Sequence, residues 1–307
     1  MSYKQTWERL KNLISEPLPE AIEESFTPMV DAFRQTKMGL KSEVESVPFG
    51  SWDFINKHFG GLRMREFSII CGPTGVGKTT MLANIAVQLQ MQLTPIFVAS
   101  VENGTYSFIE KMISIYTGKD LSQSRPMTDE QILELEKTCG KWFKTKQSLF
   151  ANYDSRVPHM RLLCDLLHAH ENYGTKVAIL DNLNFFMEVT DSKNQLSQMD
   201  KTVHDFVVFS KKVPMHIFLV MHPKKTDNGR VESEFDIKGS STSVQEASNV
   251  FLFNRLKSEN DAPMGSEHLY CRELKIAKAR QRGKSVNMRF VFSVDKFSEA
   301  YSCKRVL

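Results

Sequence analysis

The stretch Phe67-Ser-Ile-Ile-Cys71, followed by Gly72-Pro-Thr-Gly-Val-Gly-Lys-Thr79, decides the fold. Its mostly apolar start predicts a buried strand, and the pattern of residues 79–90 predicts a helix directly after the glycines. A strand, a glycine-rich turn and a helix in this order are the context in which G-x-x-x-x-G-K-[ST] marks a phosphate-binding loop. We therefore predict a phosphate site at 72–79. The alternative is a glycine-rich turn with an exposed lysine.

Each part of this loop has a chemical task. Glycines let the backbone curl so that its amides face a phosphate, and the following helix adds its positive end. Lys78 is expected to reach the β- and γ-phosphates, and the Thr79 hydroxyl to ligate Mg²⁺. The residues expected to bind ATP, or another nucleoside triphosphate, are Gly72, Pro73, Thr74, Gly75, Val76, Gly77, Lys78, Thr79 and Thr80.

Short apolar runs alternate with helical patterns after this loop. Strands are predicted at 67–71, 95–99, 148–152, 177–180 and 215–221, and helices at 79–90, 106–116, 128–144, 160–171 and 199–211. Continuously apolar strands between helices indicate a mostly parallel sheet covered on both faces. Segments 250–253, 269–277 and 287–294 are separated by turns instead, which predicts strands added at one edge. The predicted fold class is α/β, of the phosphate-loop type.

The first 45 residues are predicted to be distinct from this domain. An apolar stripe at helical spacing predicts a helix, formed by Trp7, Leu10, Leu13 and Ile14. Residues 15–50 carry several prolines and are typical of a connector with one helix around 22–37. A short helix cannot bury its stripe alone, so it should fold back on its own domain or dock on a neighbouring subunit. The chain is thus divided into a helix and linker, 1–45, and an ATPase domain, 46–307.

Composition excludes several classes of protein. With 307 residues, 41% hydrophobic and 25% charged, the chain is an ordinary globular one with room for a large core. Its net charge of +4 is too small to indicate a nucleic-acid partner, so any polyanion site must be local. The five scattered cysteines indicate neither a disulfide framework nor a zinc ribbon. No apolar run approaches the ~18 residues of a membrane span, so we expect no membrane partner and a cytoplasmic location, in the host if the protein is viral.

Two acids are candidates for the chemistry of hydrolysis. Asp181 ends the apolar run 177–180 and is expected to hold Mg²⁺, although an aspartate there can also cap a helix. Glu102 follows the apolar run 95–99, which we expect to lie beside the strand of the phosphate loop, and is the preferred general base. Glu110 is the alternative base, but it falls within a helical pattern where it can be a solvated charge.

A histidine ends the next apolar strand. His222 would emerge at the edge of the sheet where the nucleotide lies, and it could sense the γ-phosphate by donating a hydrogen bond. A single histidine at the end of a strand can equally be structural. The residues alone leave these two interpretations open.

These motifs resemble the RecA-like motor of DnaB-type hexameric replicative helicases, above all the Twinkle and phage primase-helicase branch. The resemblance covers roughly residues 46 to 295 and rests on motifs in the family's order: 72–79, Ser100-Val-Glu102, Asp181-Asn-Leu183, Met221-His-Pro-Lys-Lys225, Gly239-Ser240, Gln245-Glu-Ala-Ser-Asn-Val250 and Lys278-Ala-Arg280. It implies a ring, expected to be hexameric, that uses ATP and Mg²⁺ to move on single-stranded DNA during DNA replication. A separate primase or loader is a further expected partner.

The resemblance also implies roles for single residues. Glu102 is then the catalytic base, His222 the sensor that links ATP to DNA, and Gln245 part of the coupling apparatus. Lys278 and Arg280 match the lysine and the arginine finger that enter the neighbouring subunit's nucleotide site. We expect Arg280 at the end of an edge strand, where a parallel-sheet domain meets its neighbour. Its alternative role is that of a surface arginine in a basic hairpin.

DNA-binding loops are implied at 188–194 and 224–241. The second loop mixes glycines and serines with basic groups that suit a phosphate backbone. The DNA-binding candidates there are Lys224, Lys225, Arg230, Lys238 and Gly239. Four acidic residues in the same stretch cancel this charge, so an ordinary solvated loop is the alternative.

Two other functions fit part of the pattern. A RecA- or KaiC-like DNA-dependent ATPase could serve as a recombination or regulatory module without unwinding DNA. A small-molecule kinase would need an arginine-rich lid, and the arginines after residue 225 are sparse. The ring-forming helicase is the expected function, because it also accounts for an N-terminal helix that cannot bury its own stripe.

Overall fold

The structure is a computed structural model with side chains. It describes residues 2–15, 29–39, 45–140, 148–153, 155–187, 195–224, 229–238, 241–257, 260, 270–280 and 287–306. The predicted DNA-binding loop 188–194 lies outside the described residues. So do the DNA-binding candidates Lys225 and Gly239 and the last part of the helix predicted at 128–144.

Helices account for much of the described chain. They are α1 Tyr3–Ile14, α2 Met29–Gly39, α3 Asp53–Phe59, α4 Lys78–Met91, α5 Thr105–Thr117, α6 Asp129–Thr138, α7 His159–Tyr173, α8 Gln195–Lys212 and α9 Ser241–Glu246. None of the helices in the described ranges has both the length and the apolar character that crossing a membrane requires.

The strands form one small and one large sheet. They are β1 Ser46–Val47, β2 Leu62–Arg63, β3 Phe67–Cys71, β4 Ile96–Ser100, β5 Leu149–Phe150, β6 Val177–Asp181, β7 His216–Met221, β8 Asn249–Arg255, β9 Cys271–Ala279, β10 Arg289–Val294 and β11 Tyr301–Val306. β1 and β2 pair with each other, and the large sheet has the order β11-β10-β9-β8-β3-β7-β6-β4-β5. From β8 to β5 the neighbours run parallel, whereas β9, β10 and β11 are antiparallel additions.

Helices cover both faces of this sheet, which confirms the predicted fold class. Alternate residues of β3 point to opposite faces, so Ile69 packs into one apolar cluster with α7 and α8, and Ile70 into another with α3 and α4. All five residues of β3 and of β6 are buried. This double burial explains why these strands are apolar throughout, as is typical of parallel sheets.

Three predicted strand placements are wrong. β4, which precedes Glu102, pairs with β6 and β5 and not with the phosphate-loop strand β3. β8 is not an added edge strand, because it pairs in parallel with β3. β9, which precedes Arg280, has a neighbour on each side and is therefore not an edge strand. Crossover connections let strands that follow one another in sequence lie apart in the sheet, which accounts for β4 and β8. β9 is internal because β10 pairs with its outer side.

The N-terminal helix packs on the domain of its own chain. Leu10 is fully buried, and Trp7 and Leu13 pack against the cluster that α7 and α8 help to form. An ion pair of 2.9 Å joins the guanidinium of Arg9 to the carboxylate of Glu171 at the end of α7. In the single chain, α1 therefore adopts the first of its two expected arrangements, folding back on its own domain.

Candidate active site

The phosphate loop joins β3 to α4, and its glycines are required by geometry. Gly77 has a φ of 98°, a conformation that L side chains rarely adopt. A Cβ atom at Gly72 would lie 2.3 Å from the carbonyl oxygen of Phe253 in β8. The loop therefore depends both on backbone freedom and on the close approach of the neighbouring strand.

Lys78 lies folded inside the loop. Its side chain is buried, and its Nζ donates hydrogen bonds to the carbonyl oxygens of Gly72 at 2.8 Å and Pro73 at 2.9 Å. Burial lowers the pKa of Lys78, although the nearby carboxylates of Asp181 and Glu102 oppose this shift. The ammonium group is thus held at the centre of the loop.

Asp181 at the end of β6 reaches the first turn of α4. The Thr79 hydroxyl donates a 2.7 Å hydrogen bond to Oδ2 of Asp181. Burial raises the pKa of this carboxyl to about 6. A hydroxyl and a carboxylate oxygen side by side are donors that fit Mg²⁺, which takes few protein ligands when phosphates supply the others. No group of three or more histidine, cysteine or acidic side chains suited to a metal occurs among the described residues.

Glu102 comes to the same place from β4. The pairing of Ser100 with Asp181 sets β4 and β6 side by side, so Glu102 emerges next to the carboxylate that ends β6. The Glu102 carboxylate accepts a hydrogen bond from the side-chain amide of Asn182. Its alternative, Glu110, is paired with Arg125 outside this cavity.

These side chains surround one cavity of about 270 Å³. The described residues that line it are Thr74, Gly75, Gly77, Lys78, Thr79, Thr80, Glu102, Asn103, Ser107, Phe108, Lys111, Asp181 and His222. His222 follows β7, the strand between β3 and β6. Burial and the nearby Lys78 both lower its pKa, which favours the neutral imidazole. The structure thus brings the predicted lysine, threonine, histidine and both acids together.

Sequence reasoning missed several side chains of this cavity. The side-chain amide of Asn103 donates a 3.3 Å hydrogen bond to the Thr79 hydroxyl, and Asn182 holds Glu102. Both asparagines directly follow a predicted acid, which was a usable signal. Lys111 had no such signal, because it lies on the cavity-facing side of an ordinary amphipathic helix, α5.

Gln245, Lys278 and Arg280 lie at the amino ends of the parallel strands, opposite the end that holds the cavity. Lys278 donates a 2.9 Å hydrogen bond to the carbonyl oxygen of Val244, and both Lys278 and Arg280 donate to the carbonyl oxygen of Gln245. The backbone amide of Arg280 donates to the carbonyl oxygen of Ser248, next to the start of β3. The phosphate loop begins after the end of β3, five residues and roughly 16 Å away.

The DNA-binding candidates among the described residues differ in their surroundings. Arg230 is engaged inside the domain, with ion pairs of 3.2 Å to Glu232 and 3.3 Å to Glu273. Lys224 is exposed, although its Nζ donates to the carbonyl oxygen of Phe235 at 2.9 Å. The backbone amide of Lys238 donates to the carbonyl oxygen of His222 at 2.9 Å, so this segment is tied to the cavity.

The cavity combines a phosphate loop after one parallel strand, an acid at the end of the strand two places away and a second acid after the next strand. This arrangement is that of a phosphate-loop ATPase. A profile of the DnaB-like helicase C-terminal domain family matches residues 49–299. Because the match spans most of the chain, the protein belongs to this family. It is an ATP-hydrolysing DNA helicase of the replicative type.

Solved structures show the same fold. The chain is similar to a DnaB-like replicative helicase with a TM-score of 0.72 and 15% identity, over 97% of this chain and 75% of that one. It is also similar to a second solved structure, an ATPase domain, with a TM-score of 0.71 and 15% identity, over 92% of this chain and 99% of that one.

Replacing Asp181 by asparagine should stabilise the nucleotide-free protein at alkaline pH. The folded state raises the pKa of Asp181 to about 6 from 3.8, so it binds a proton more tightly than the unfolded state does. The stability that the proton gives is complete below pH 3.8 and is lost as the pH rises through about 6. Asp181→Asn keeps an uncharged side chain, so its free energy of unfolding at pH 8 should exceed that of the wild type by about 3 kcal/mol.

Urea unfolding without Mg²⁺, repeated from pH 5 to pH 8, measures this difference. The advantage of Asp181→Asn should shrink towards pH 5, where the wild-type carboxyl is already protonated. An advantage that is independent of pH would contradict the buried-charge explanation.

Proposed function

We propose that this helicase is a ring-forming motor that moves on single-stranded DNA and hydrolyses ATP in the cavity described above. One observation carries the proposal. Side chains from the ends of β3, β4, β6 and β7 converge on a single cavity and include a phosphate-binding lysine, a hydroxyl and a carboxylate for Mg²⁺, a second carboxylate and a histidine.

In this proposal each side chain has one role in binding or hydrolysing ATP. Lys78 and the loop amides bind the phosphates, and Thr79 and Asp181 hold Mg²⁺, which neutralises phosphate charge when it is bound. Glu102 is the general base and takes a proton from the attacking water. The Asn182 amide orients the Glu102 carboxylate through their hydrogen bond. His222 acts as the γ-phosphate sensor.

Arg280 is proposed to complete the nucleotide site of a neighbouring subunit. Arg280 lies at the amino ends of the parallel strands, and its own phosphate loop lies at their carboxyl ends, so Arg280 cannot reach its own nucleotide. A ring of subunits, which we propose is hexameric, sets those amino ends against the next cavity. Lys278 accompanies Arg280, and both are held by the carbonyl oxygen of Gln245. A guanidinium there would stabilise the charge that spreads over the transferring phosphoryl group.

The DNA-binding surface is proposed to follow β7. Lys224 and Lys238, with their undescribed neighbours Lys225 and Gly239, supply donors for phosphates of the DNA backbone. The amide of Lys238 bonds to His222, so DNA contact and phosphate sensing involve one connected segment. Arg230 contributes less than predicted because Glu232 and Glu273 already engage it.

Finer features of the assembly complete the proposal. The order of the motifs supports a place in the Twinkle and phage primase-helicase branch.

We propose that α1 can leave α7 and α8 of its own chain and dock on those of the next subunit, because the same apolar stripe fits either copy. The DnaB-like helicase of similar structure was studied for its interactions with primase, and a separate primase or loader is proposed here too. The DNA substrate proposed for the present protein suits a cytoplasmic location, in the host if the protein is viral.

Replacing Glu102 by glutamine should keep nucleotide binding but lower ATP turnover by at least about 100-fold, the usual effect of removing a general base. Glu110→Gln is the matched control, since Glu110 lies eight positions on and is paired with Arg125. Turnover is measured by phosphate release and binding by titration with a fluorescent ATP analogue. The assignment of the base fails if Glu110→Gln loses turnover and Glu102→Gln does not.

Mixing two inactive variants tests the role of Arg280 across the subunit boundary. Lys78→Ala should lose nucleotide binding, and Arg280→Ala should bind nucleotide but lose ATP turnover by about 1000-fold or more. Rings assembled from both variants should recover part of the turnover, because some intact cavities then face an intact arginine. Full activity of Arg280→Ala alone, or no recovery in rings shown to be mixed, would remove Arg280 from the site.

A further inference from the structure

Lys111 in α5 is a second lysine of the phosphate cavity. It lines the cavity together with Lys78, Thr79 and Thr80. Its Nζ is not directed to either acid of the catalytic set but forms an ion pair with Oε2 of Glu299. The Lys111 side chain is 28% exposed, so the ammonium group is at the rim of the cavity, within reach of a ligand.

Glu299 comes from the turn between β10 and β11, and several contacts fix its position. Its carbonyl oxygen accepts a 3.1 Å hydrogen bond from the side-chain amide of Asn84 in α4, and its Oε2 accepts from the Thr80 hydroxyl at 3.4 Å. Its φ is 58°, in the left-handed region that non-glycine residues rarely adopt. Such a conformation persists only where surrounding structure imposes it. The turn thus presents a carboxylate to the rim of the cavity.

A carboxylate in this place opposes the binding of phosphate. Glu102 and Asp181 already contribute two acidic groups to the cavity. Glu299 lines an adjoining cavity together with Lys111 and adds a third carboxylate beside Thr80 and Lys111. Glu299 also occupies the one lysine that lines the cavity besides Lys78 among the described residues. A triphosphate carries more negative charge than a single carboxylate and offers several acceptor oxygens, so it competes well for the same ammonium group.

We propose that Lys111 is a second phosphate-binding lysine, which Glu299 holds in the nucleotide-free protein and yields to ATP. The inference rests on the proposed binding of ATP in this cavity. Binding of nucleotide then breaks the link between α5 and the β10–β11 turn. The turn remains attached to α4 through Asn84, whose side-chain oxygen also accepts from the backbone amide of Tyr301 at 2.7 Å.

Two variants that break the same ion pair separate this proposal from a purely structural role. Lys111→Met removes the cation and should weaken binding of a fluorescent ATP analogue with Mg²⁺ by about 10-fold or more, as expected for a lost charge-assisted hydrogen bond. Glu299→Gln removes the competing charge and should tighten the same binding, by about 3-fold or more. If the ion pair only ties the turn to α5, both variants should change the affinity for the analogue in the same direction.

Controls keep the outcome decisive. Lys119→Met breaks the ion pair of 3.1 Å between Lys119 and Glu134, outside the cavity, and should leave the affinity unchanged. Glu299→Gly removes the carboxylate at a backbone conformation that glycine adopts freely, so it should fold and reproduce the tighter binding. Thermal unfolding verifies that each variant is folded.

The same titrations distinguish failure of this inference from failure of the site itself. If Lys78→Ala loses binding while Lys111→Met and Glu299→Gln both weaken it or both leave it unchanged, Lys111 is not a phosphate ligand but the cavity still binds ATP. If Lys78→Ala binds the analogue as the wild type does, the cavity is not the ATP site, and both proposals are overturned.

Discussion

The hydrogen bond from the Thr79 hydroxyl to the buried carboxylate of Asp181 joins the two halves of the nucleotide site. Thr79 belongs to the helix after β3, and Asp181 ends β6, two places away in the sheet. They meet because parallel strands carry their carboxyl ends to one edge, with β7 between them. Burial of Asp181 disfavours its charged form, so the buried carboxylate costs stability at neutral pH, and the hydrogen bond from Thr79 offsets part of that cost. The rest of the cavity is arranged around this pair.

The carboxyl and amino ends of the parallel strands have different proposed roles. The carboxyl ends of the parallel strands hold the chain's own phosphate loop, and the amino ends hold Lys278 and Arg280, which we propose serve a neighbouring subunit. The described parts of the chain between His222 and β8 contact both ends of the strands: the amide of Lys238 donates to the carbonyl oxygen of His222, and Lys278 donates to that of Gln245. In the proposed ring, this segment would link a change at the γ-phosphate to the subunit boundary and to the proposed DNA surface.

Local sequence predicted the phosphate loop and Asp181, because glycine spacing and the end of an apolar strand are short-range signals. Its place after an apolar strand identifies Glu102 as a candidate, but the predicted neighbour of that strand is wrong, since sequence order does not fix strand order. No local sequence pattern predicts the contacts between residues that lie far apart in the chain. Arg230 reaches Glu273 across 43 positions, and Lys111 reaches Glu299 across 188. Both pairs involve the antiparallel part of the sheet, because Glu273 lies in β9 and Glu299 in the turn between β10 and β11.

ATP turnover by the wild-type protein, measured with and without single-stranded DNA, tests the central claim most directly. The account predicts turnover that requires Mg²⁺ and rises when single-stranded DNA is added, because the segment after β7 connects the proposed DNA surface to His222. His222→Ala should keep a basal rate but lose the rise. Turnover that is indifferent to DNA in assembled rings would contradict the claim that this cavity drives a motor on single-stranded DNA.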